Sequence, residues 1–226
     1  MSAPTPRIDP AVRAALAWAH SARFLLTASQ LHELPEVTPP EIAFVGRSNA
    51  GKSSAINALA QHRQLAFASR TPGRTQHINL FEVGPAGAAD ALWADLPGYG
   101  FAAVERQAKQ RWQAVMARYL AERHNLVGIV LLVDARHGLT TLDQQLLQWV
   151  QPRIGGGEVK LLVLLTKADK LARRERERAL ADAQRALGTL ATEESDIGVT
   201  LFSALSGQGI EDAALTLHAW MPRAAD

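Results

Sequence analysis

The stretch Glu41–Ser54, "EIAFVGRSNAGKSS", reads as a short apolar run, a glycine-bounded loop and the start of a helix. Its Gly46–Ser53 core fits G-x-x-x-x-G-K-[ST], and the pattern has a mechanical meaning. The glycines let the backbone curl so that successive amides face inward at a helix N-terminus, a concave nest for anionic oxygens. Gly46, Arg47, Ser48, Asn49, Ala50, Gly51, Lys52 and Ser53 therefore form a candidate phosphate cradle. In it Lys52 neutralises the β- and γ-phosphates and the Ser53 hydroxyl ligates Mg²⁺. Asn49 is either a loop residue tolerant of unusual dihedrals or the donor of a side-chain oxygen to a monovalent cation, K⁺, beside the phosphates.

Around this loop, short apolar runs alternate with longer amphipathic stretches. "EIAFV", "HINLFEV", "ALWAD", "VGIVLLVD", "VKLLVLLT" and "VTLFS" are six strand candidates. Helix candidates begin near Gly51, Glu105, Leu142, Ala172 and Gly209. The runs at 127–134 and 159–165 are apolar without alternation, as strands covered on both faces should be. The expected architecture is α/β: a mostly parallel six-stranded sheet with helices on both faces. Ligands of such sheets bind at the carboxyl ends of the strands, so the loops after Val45, Asp95, Thr166 and Phe202 are where chemistry is expected. Residues 1–38 read as an N-terminal extension with a helix-like segment, "AVRAALAWAHSARFLLTAS"; the prolines Pro39 and Pro40 mark its junction with a main domain over 39–226.

Composition narrows the function classes. A chain of 226 residues holds one domain with a full core. The formal charge of +2 gives no bulk electrostatic case for DNA or a membrane surface. Cysteine is absent, which excludes disulfides and thiolate chemistry. The longest apolar run, Leu126–Val133, falls far short of the roughly 20 residues that span a bilayer. The seven histidines show no metal-ligand spacing. A soluble, cytoplasmic, monomeric protein is expected.

A phosphate loop does not choose a base. The choice comes from Thr166, Lys167, Ala168 and Asp169 after a buried strand. A carboxylate at Asp169 can accept from the N1–H and exocyclic amine of guanine, a donor pair that adenine lacks, and this opposes an ATPase or nucleotide kinase. The Lys167 stem can cover the base. Such motifs usually begin with Asn, and the shorter Thr166 can make fewer bracing contacts. Phe202, Ser203 and Ala204 end another strand, where a backbone amide could meet the guanine O6. Ser203 could equally be a helix-capping serine. At the end of "ALWAD", Asp95 would hold Mg²⁺ through a water, and Leu96 and Pro97 lead to Gly98, whose amide would contact the γ-phosphate. Many guanine-nucleotide switches carry glutamine next, to orient the attacking water; here the residue is Tyr99. Of two threonines in the preceding polar loop, Thr71 and Thr75, Thr75 is favoured as a direct Mg²⁺ ligand that orders with GTP.

With "GRSNAGKSS", "SRTPGRTQHINLFEV", "DLPGYGFA", "DARHGLTTLDQQLLQWV" and "LLVLLTKADKL" in view, the chain resembles the bacterial EngB GTPases, from about residue 38 to 220. The N-terminal "RFLLTASQLHELP" looks like that family's lead-in helix. The resemblance implies a Ras-like P-loop GTPase fold whose second strand is antiparallel. It also implies Gly73, Arg74, Thr75, Gln76 and His77 among the GTP contacts, slow hydrolysis of GTP to GDP, a role in large ribosomal subunit assembly, and a requirement for cell division and septation. Arg47, Arg70, Arg74, Arg106, Lys109, Arg111 and Arg118 are candidate contacts for ribosomal RNA phosphates. The alternative is a GTP-binding scaffold of the division apparatus with incidental hydrolysis.

Overall fold

The computed structural model describes residues 9–36, 39–66, 77–100 and 106–222, the side chains of 106–113 excepted. In chain order the elements are α1 (Pro10–His20), β1 (Arg23–Ala28), β2 (Glu41–Gly46), α2 (Lys52–Leu59), β3 (Ile78–Val83), β4 (Ala91–Asp95), α3 (Arg106–Glu122), β5 (Leu126–Asp134), α4 (Thr141–Gly155), β6 (Lys160–Thr166), α5 (Arg173–Gly188), β7 (Ile197–Leu201) and α6 (Ile210–Ala219). The strands form one sheet in the order β1-β3-β4-β2-β5-β6-β7. β3 is antiparallel to both β1 and β4, and the remaining pairs are parallel, so β3 alone runs against the other six.

The apolar runs without alternation owe their pattern to burial on both faces. Along β5, Ile129, Leu131 and Val133 join the core under α3, α4 and α5, while Val130 and Leu132 join the core under α1, α2 and α6. β6 divides in the same way, with Leu161, Val163 and Leu165 on one face and Leu162 and Leu164 on the other. The apolar side chains of these central strands therefore face helices on both sides of the sheet, and none of them needs to be polar.

Two expectations are corrected. The sheet has seven strands, not six, and the segment read as part of a lead-in helix is its added strand. α1 starts well, with Asp9 accepting from the Ala11 amide at 2.7 Å and Pro10 in the first turn. It stops at His20, where the Ser21 hydroxyl and amide both turn back to the Trp18 carbonyl. From Arg23 the chain extends and pairs with β3, 55 residues on, in the register Arg23↔Glu82 to Ala28↔Ile78. Arg23 pairs with Glu82 at 2.8 Å and Thr27 donates to Asn79 Oδ1 at 2.7 Å. A bulge between Phe24 and Leu26 marks this edge strand. On the opposite face α1 is held by Trp18, whose ring meets Trp93 edge-on at 5.8 Å, and Trp93 meets Phe44 at 5.3 Å. Such aromatic pairs add roughly 0.5–1.5 kcal/mol each beyond their area.

Candidate nucleotide site

The carboxyl ends of β2, β4, β5 and β6 lie side by side, because parallel pairing aligns Phe44 with Asp95, Gly46 with Leu132, and Asp134 with Thr166. The loop after β2 turns through two left-handed residues, Asn49 (φ 66°) and Gly51 (φ 91°), before α2 begins at Lys52. The first amides of α2, at the sheet end, have no helical carbonyl to bond. The Lys52 ammonium donates to the Asp95 carboxylate, and both groups are buried. Ser53, half-buried, follows in the first turn. A buried ammonium, a buried carboxylate and an adjacent hydroxyl at a helix N-terminus are a fitting donor set for a phosphate with its divalent cation.

Gly98 lies against the phosphate loop so closely that a Cβ there would sit 3.0 Å from the Ser48 backbone, which explains the glycine. The segment is stitched down by backbone bonds, Tyr99 N to Gly46 O at 3.2 Å and Ser48 N to Tyr99 O at 2.8 Å. Leu96 and Pro97 are buried between Asp95 and this contact. The Tyr99 ring packs against the core, and its phenol donates to Asp143 Oδ1 at 2.5 Å. Burial first, then the Asp143 carboxylate, hold this phenol far above its ordinary pKa, so it remains a hydrogen donor.

The loop expected to meet the base is built by short bonds between strand ends. Ala168 N donates to Phe202 O at 3.1 Å and Phe202 N to Leu165 O at 2.8 Å, holding the loop after β6 against the loop after β7. The Ser203 hydroxyl donates to Asp169 Oδ1 at 2.6 Å and accepts from the Ser206 amide at 3.1 Å. That donation, ahead of contributions from Lys170, lowers the Asp169 pKa, so the carboxylate is ionised and held as an acceptor. Ala204 is exposed beside it. Thr166 makes more of its short side chain than expected: Oγ1 donates to Ala50 O at 2.6 Å and lies 3.2 Å from Val133 O, so one hydroxyl bridges the phosphate loop and β5. Lys167 adopts a left-handed backbone (φ 58°), and its ammonium reaches Asn49 O at 2.6 Å and Asp134 Oδ2 at 2.9 Å.

Asp134 had no role in the sequence reading. Burial opposes its charge, but hydrogen bonds from Arg136 and then Lys167 prevail and hold its pKa well below the ordinary carboxylate range. Its sequence signal is its position: it ends the apolar run of β5, in register with Thr166. Asp143 was also overlooked, and only the fold reveals its bond to Tyr99. His77 is exposed and hydrogen-bonds Ser29 at 3.0 Å. Arg118 is exposed and pairs with Glu122 one turn on. Arg70, Thr71, Gly73, Arg74, Thr75 and Gln76 lie outside the described residues, as do the side chains of Arg106, Lys109 and Arg111. Among the described residues no cluster of three or more His, Cys, Asp and Glu side chains could hold a metal, and no helix is long and apolar enough to cross a membrane.

Comparison with known proteins places this geometry. A family model described as "50S ribosome-binding GTPase" matches residues 41–167. A relative from Albidiferax ferrireducens, named "Probable GTP-binding protein EngB", is 57% identical over 206 residues, covering 91% of this chain and 96% of the relative. Among solved structures, one titled as a probable GTP-binding protein engB aligns with a TM-score of 0.60 at 20% identity, covering 80% of this chain and 97% of its own. The NFeoB protein of S. thermophilus bound to GDP, AlF₄⁻ and K⁺ aligns with a TM-score of 0.53 at 23% identity, over 80% of this chain and 62% of its own. Those two likenesses are of fold. On the sequence relationships, the chain belongs to the EngB family of GTP-binding proteins and is a P-loop GTPase.

Proposed function

We propose that the protein is a slow GTP-to-GDP switch whose GTP form docks on large ribosomal subunit precursors and leaves them after hydrolysis. Residues 39–226 carry the nucleotide chemistry, and the extension before them contributes β1, which braces the sheet edge beside it. The observation that carries guanine recognition is the Asp169 carboxylate held ionised by Ser203. Asp169 accepts from the guanine N1–H and amine, the Ala204 amide meets O6, and the Lys167 stem covers the ring. Lys52 moves its charge from Asp95 to the β- and γ-phosphates, the amides from Arg47 to Ser53 cradle them, and the Gly98 amide reads the γ-phosphate. Ser53 and Thr75 would ligate Mg²⁺ directly and Asp95 through a water; the ion would neutralise charge developing on the transferred phosphoryl group.

Hydrolysis here depends on positioning and charge rather than on residue 99, because the Tyr99 phenol is engaged with Asp143. Asn49, exposed at the rim of the loop, is suited to a K⁺ whose charge would add to that of Lys52. The NFeoB structure, a neighbour in fold, is titled as bound to K⁺ together with GDP and AlF₄⁻, which makes K⁺ the cation to try first.

The description of the matched family, "50S ribosome-binding GTPase", supports the large-subunit partner. A cytoplasmic monomer with a role in division and septation completes the proposal. The test is co-sedimentation with large-subunit particles. Binding should require GTP rather than GDP and weaken steeply with salt, as contacts to RNA phosphates do. Absence of any nucleotide-dependent association would refute the ribosomal role and favour a GTP-binding scaffold of the division apparatus.

A further inference from the structure

We infer that Asp143 is a positioning residue for GTP recognition: through the Tyr99 phenol it fixes the Gly98 segment against the phosphate loop, in the place from which the Gly98 amide meets a γ-phosphate. The inference rests on the assignment of that amide to the γ-phosphate.

Three observations support it. The first is that the segment has two independent anchors. Its backbone is bonded to the phosphate loop at Gly46 and Ser48, and the Ser48 hydroxyl donates to Gly98 O at 3.3 Å. Its side chain is bonded 44 residues away to Asp143, on α4. The backbone pairing is no longer than one isolated bridge, Arg47 with Tyr99, and the phenol adds an attachment at the outer end of the side chain.

The second is that the acceptor is itself immobile. Asp143 is only 1% exposed, and its other oxygen accepts from both the Thr140 amide at 2.7 Å and the Thr140 hydroxyl at 2.6 Å. Those bonds cap α4, so the carboxylate cannot turn without uncapping the helix. The third is the fit at Gly98: a Cβ there would lie 3.0 Å from the Ser48 backbone, so only a glycine lets this peptide come so close to the phosphate loop, and a shift of the segment changes that approach directly.

The position of the Gly98 amide matters for GTP and not for GDP, because only GTP has a γ-phosphate. The experiment measures affinities for GDP and for a non-hydrolysable GTP analogue in the full chain and in Tyr99→Phe, Asp143→Asn and the double variant. Tyr99→Phe keeps the ring and the α4 cap and removes only the hydroxyl. It should weaken the analogue at least fivefold and change GDP less than twofold. Asp143→Asn should shift the ratio in the same direction, and the double variant should lose little more than Tyr99→Phe alone. A merely structural contact would lower both affinities together, or lower the melting temperature alone; either result overturns the inference. Gly98→Ala separates the two levels. If it leaves the GTP:GDP ratio unchanged, the assignment of the amide has failed and the inference falls with it. If Gly98→Ala shifts the ratio and Tyr99→Phe does not, the amide assignment stands and the role of Asp143 is refuted.

Discussion

Replacing Thr166 with valine exchanges a hydroxyl for a methyl at nearly constant shape, at the point where the phosphate loop and the base-recognition strand meet. Thr166 is 3% exposed, and its hydroxyl donates to Ala50 O at 2.6 Å with Val133 O 3.2 Å away. Water cannot replace that donor without opening the contact between β6 and the phosphate loop. The Thr166 Oγ1 also lies 3.6 Å from the position a Gly51 Cβ would take, so loss of the bond loosens the loop at its left-handed turn. Leaving a buried carbonyl short of a donor costs about 1–3 kcal/mol. In a chain of this size each kcal/mol lowers the melting temperature by about 2–4 °C, so Thr166→Val should melt roughly 2–12 °C below the native protein. The phosphate-loop carbonyl that loses its brace adjoins the Gly51 and Lys52 amides, so GDP affinity should fall about tenfold, equivalent to roughly 1.4 kcal/mol. Thermal unfolding with and without GDP, and calorimetric titration of GDP, measure both effects. A melting temperature within 1 °C of the native value, with unchanged GDP affinity, would refute the view that this hydroxyl replaces the customary asparagine as a brace.

Other perturbations test other parts of the structure. Gly128→Ala places a Cβ 2.3 Å from the Trp220 ring, which packs against this glycine of β5. Overpacking of this kind costs about 1–3 kcal/mol, and chemical denaturation should show that loss while GDP affinity of the folded protein is retained. Glu41→Gln breaks the fully buried carboxylate that accepts from Tyr119 and from Arg123 at 3.0 Å, and denaturation should reveal a loss of about 3–5 kcal/mol. Ser203→Ala removes the hydrogen bond that depresses the Asp169 pKa. A depressed carboxylate is fully charged above the ordinary range near 3.9 and loses its charge as pH falls through its own lower pKa. The acid limb of GDP binding should therefore move to higher pH in the variant, as read by titrations from neutral pH downwards.

The fold around the proposed site was legible because its candidate loops are contiguous strings, each at the end of an apolar run. The phosphate loop, the Asp95–Gly98 turn and the Thr166–Asp169 loop each follow an apolar run that is a strand, and parallel pairing brings their ends together. What escaped the sequence depends on distance along the chain. Arg23–Ala28 follows α1 after only two residues, without glycine or proline, and its apolar content suits a helix continuing or a strand. The vacant edge of β3 decides for strand, and local periodicity does not report that edge. In the same way Tyr99 could be recognised as an unusual residue after Gly98, but not as the partner of Asp143 on α4. Side-chain length alone predicts that Thr166 braces less than asparagine would, because length does not report where the backbone carbonyls lie. Two carbonyls converge on its hydroxyl, so a short side chain suffices.

The central claim is that this site selects guanine through a pre-set Asp169 carboxylate, and Asp169→Asn tests it most directly. Competition binding with GDP, ADP and xanthosine diphosphate should give the native protein a preference for GDP over both competitors. In the variant the amide presents a donor where the carboxylate accepted, so preference should pass to the xanthine nucleotide, whose C2 oxygen is an acceptor. Retention of the native preference for GDP by a folded Asp169→Asn variant would contradict the account.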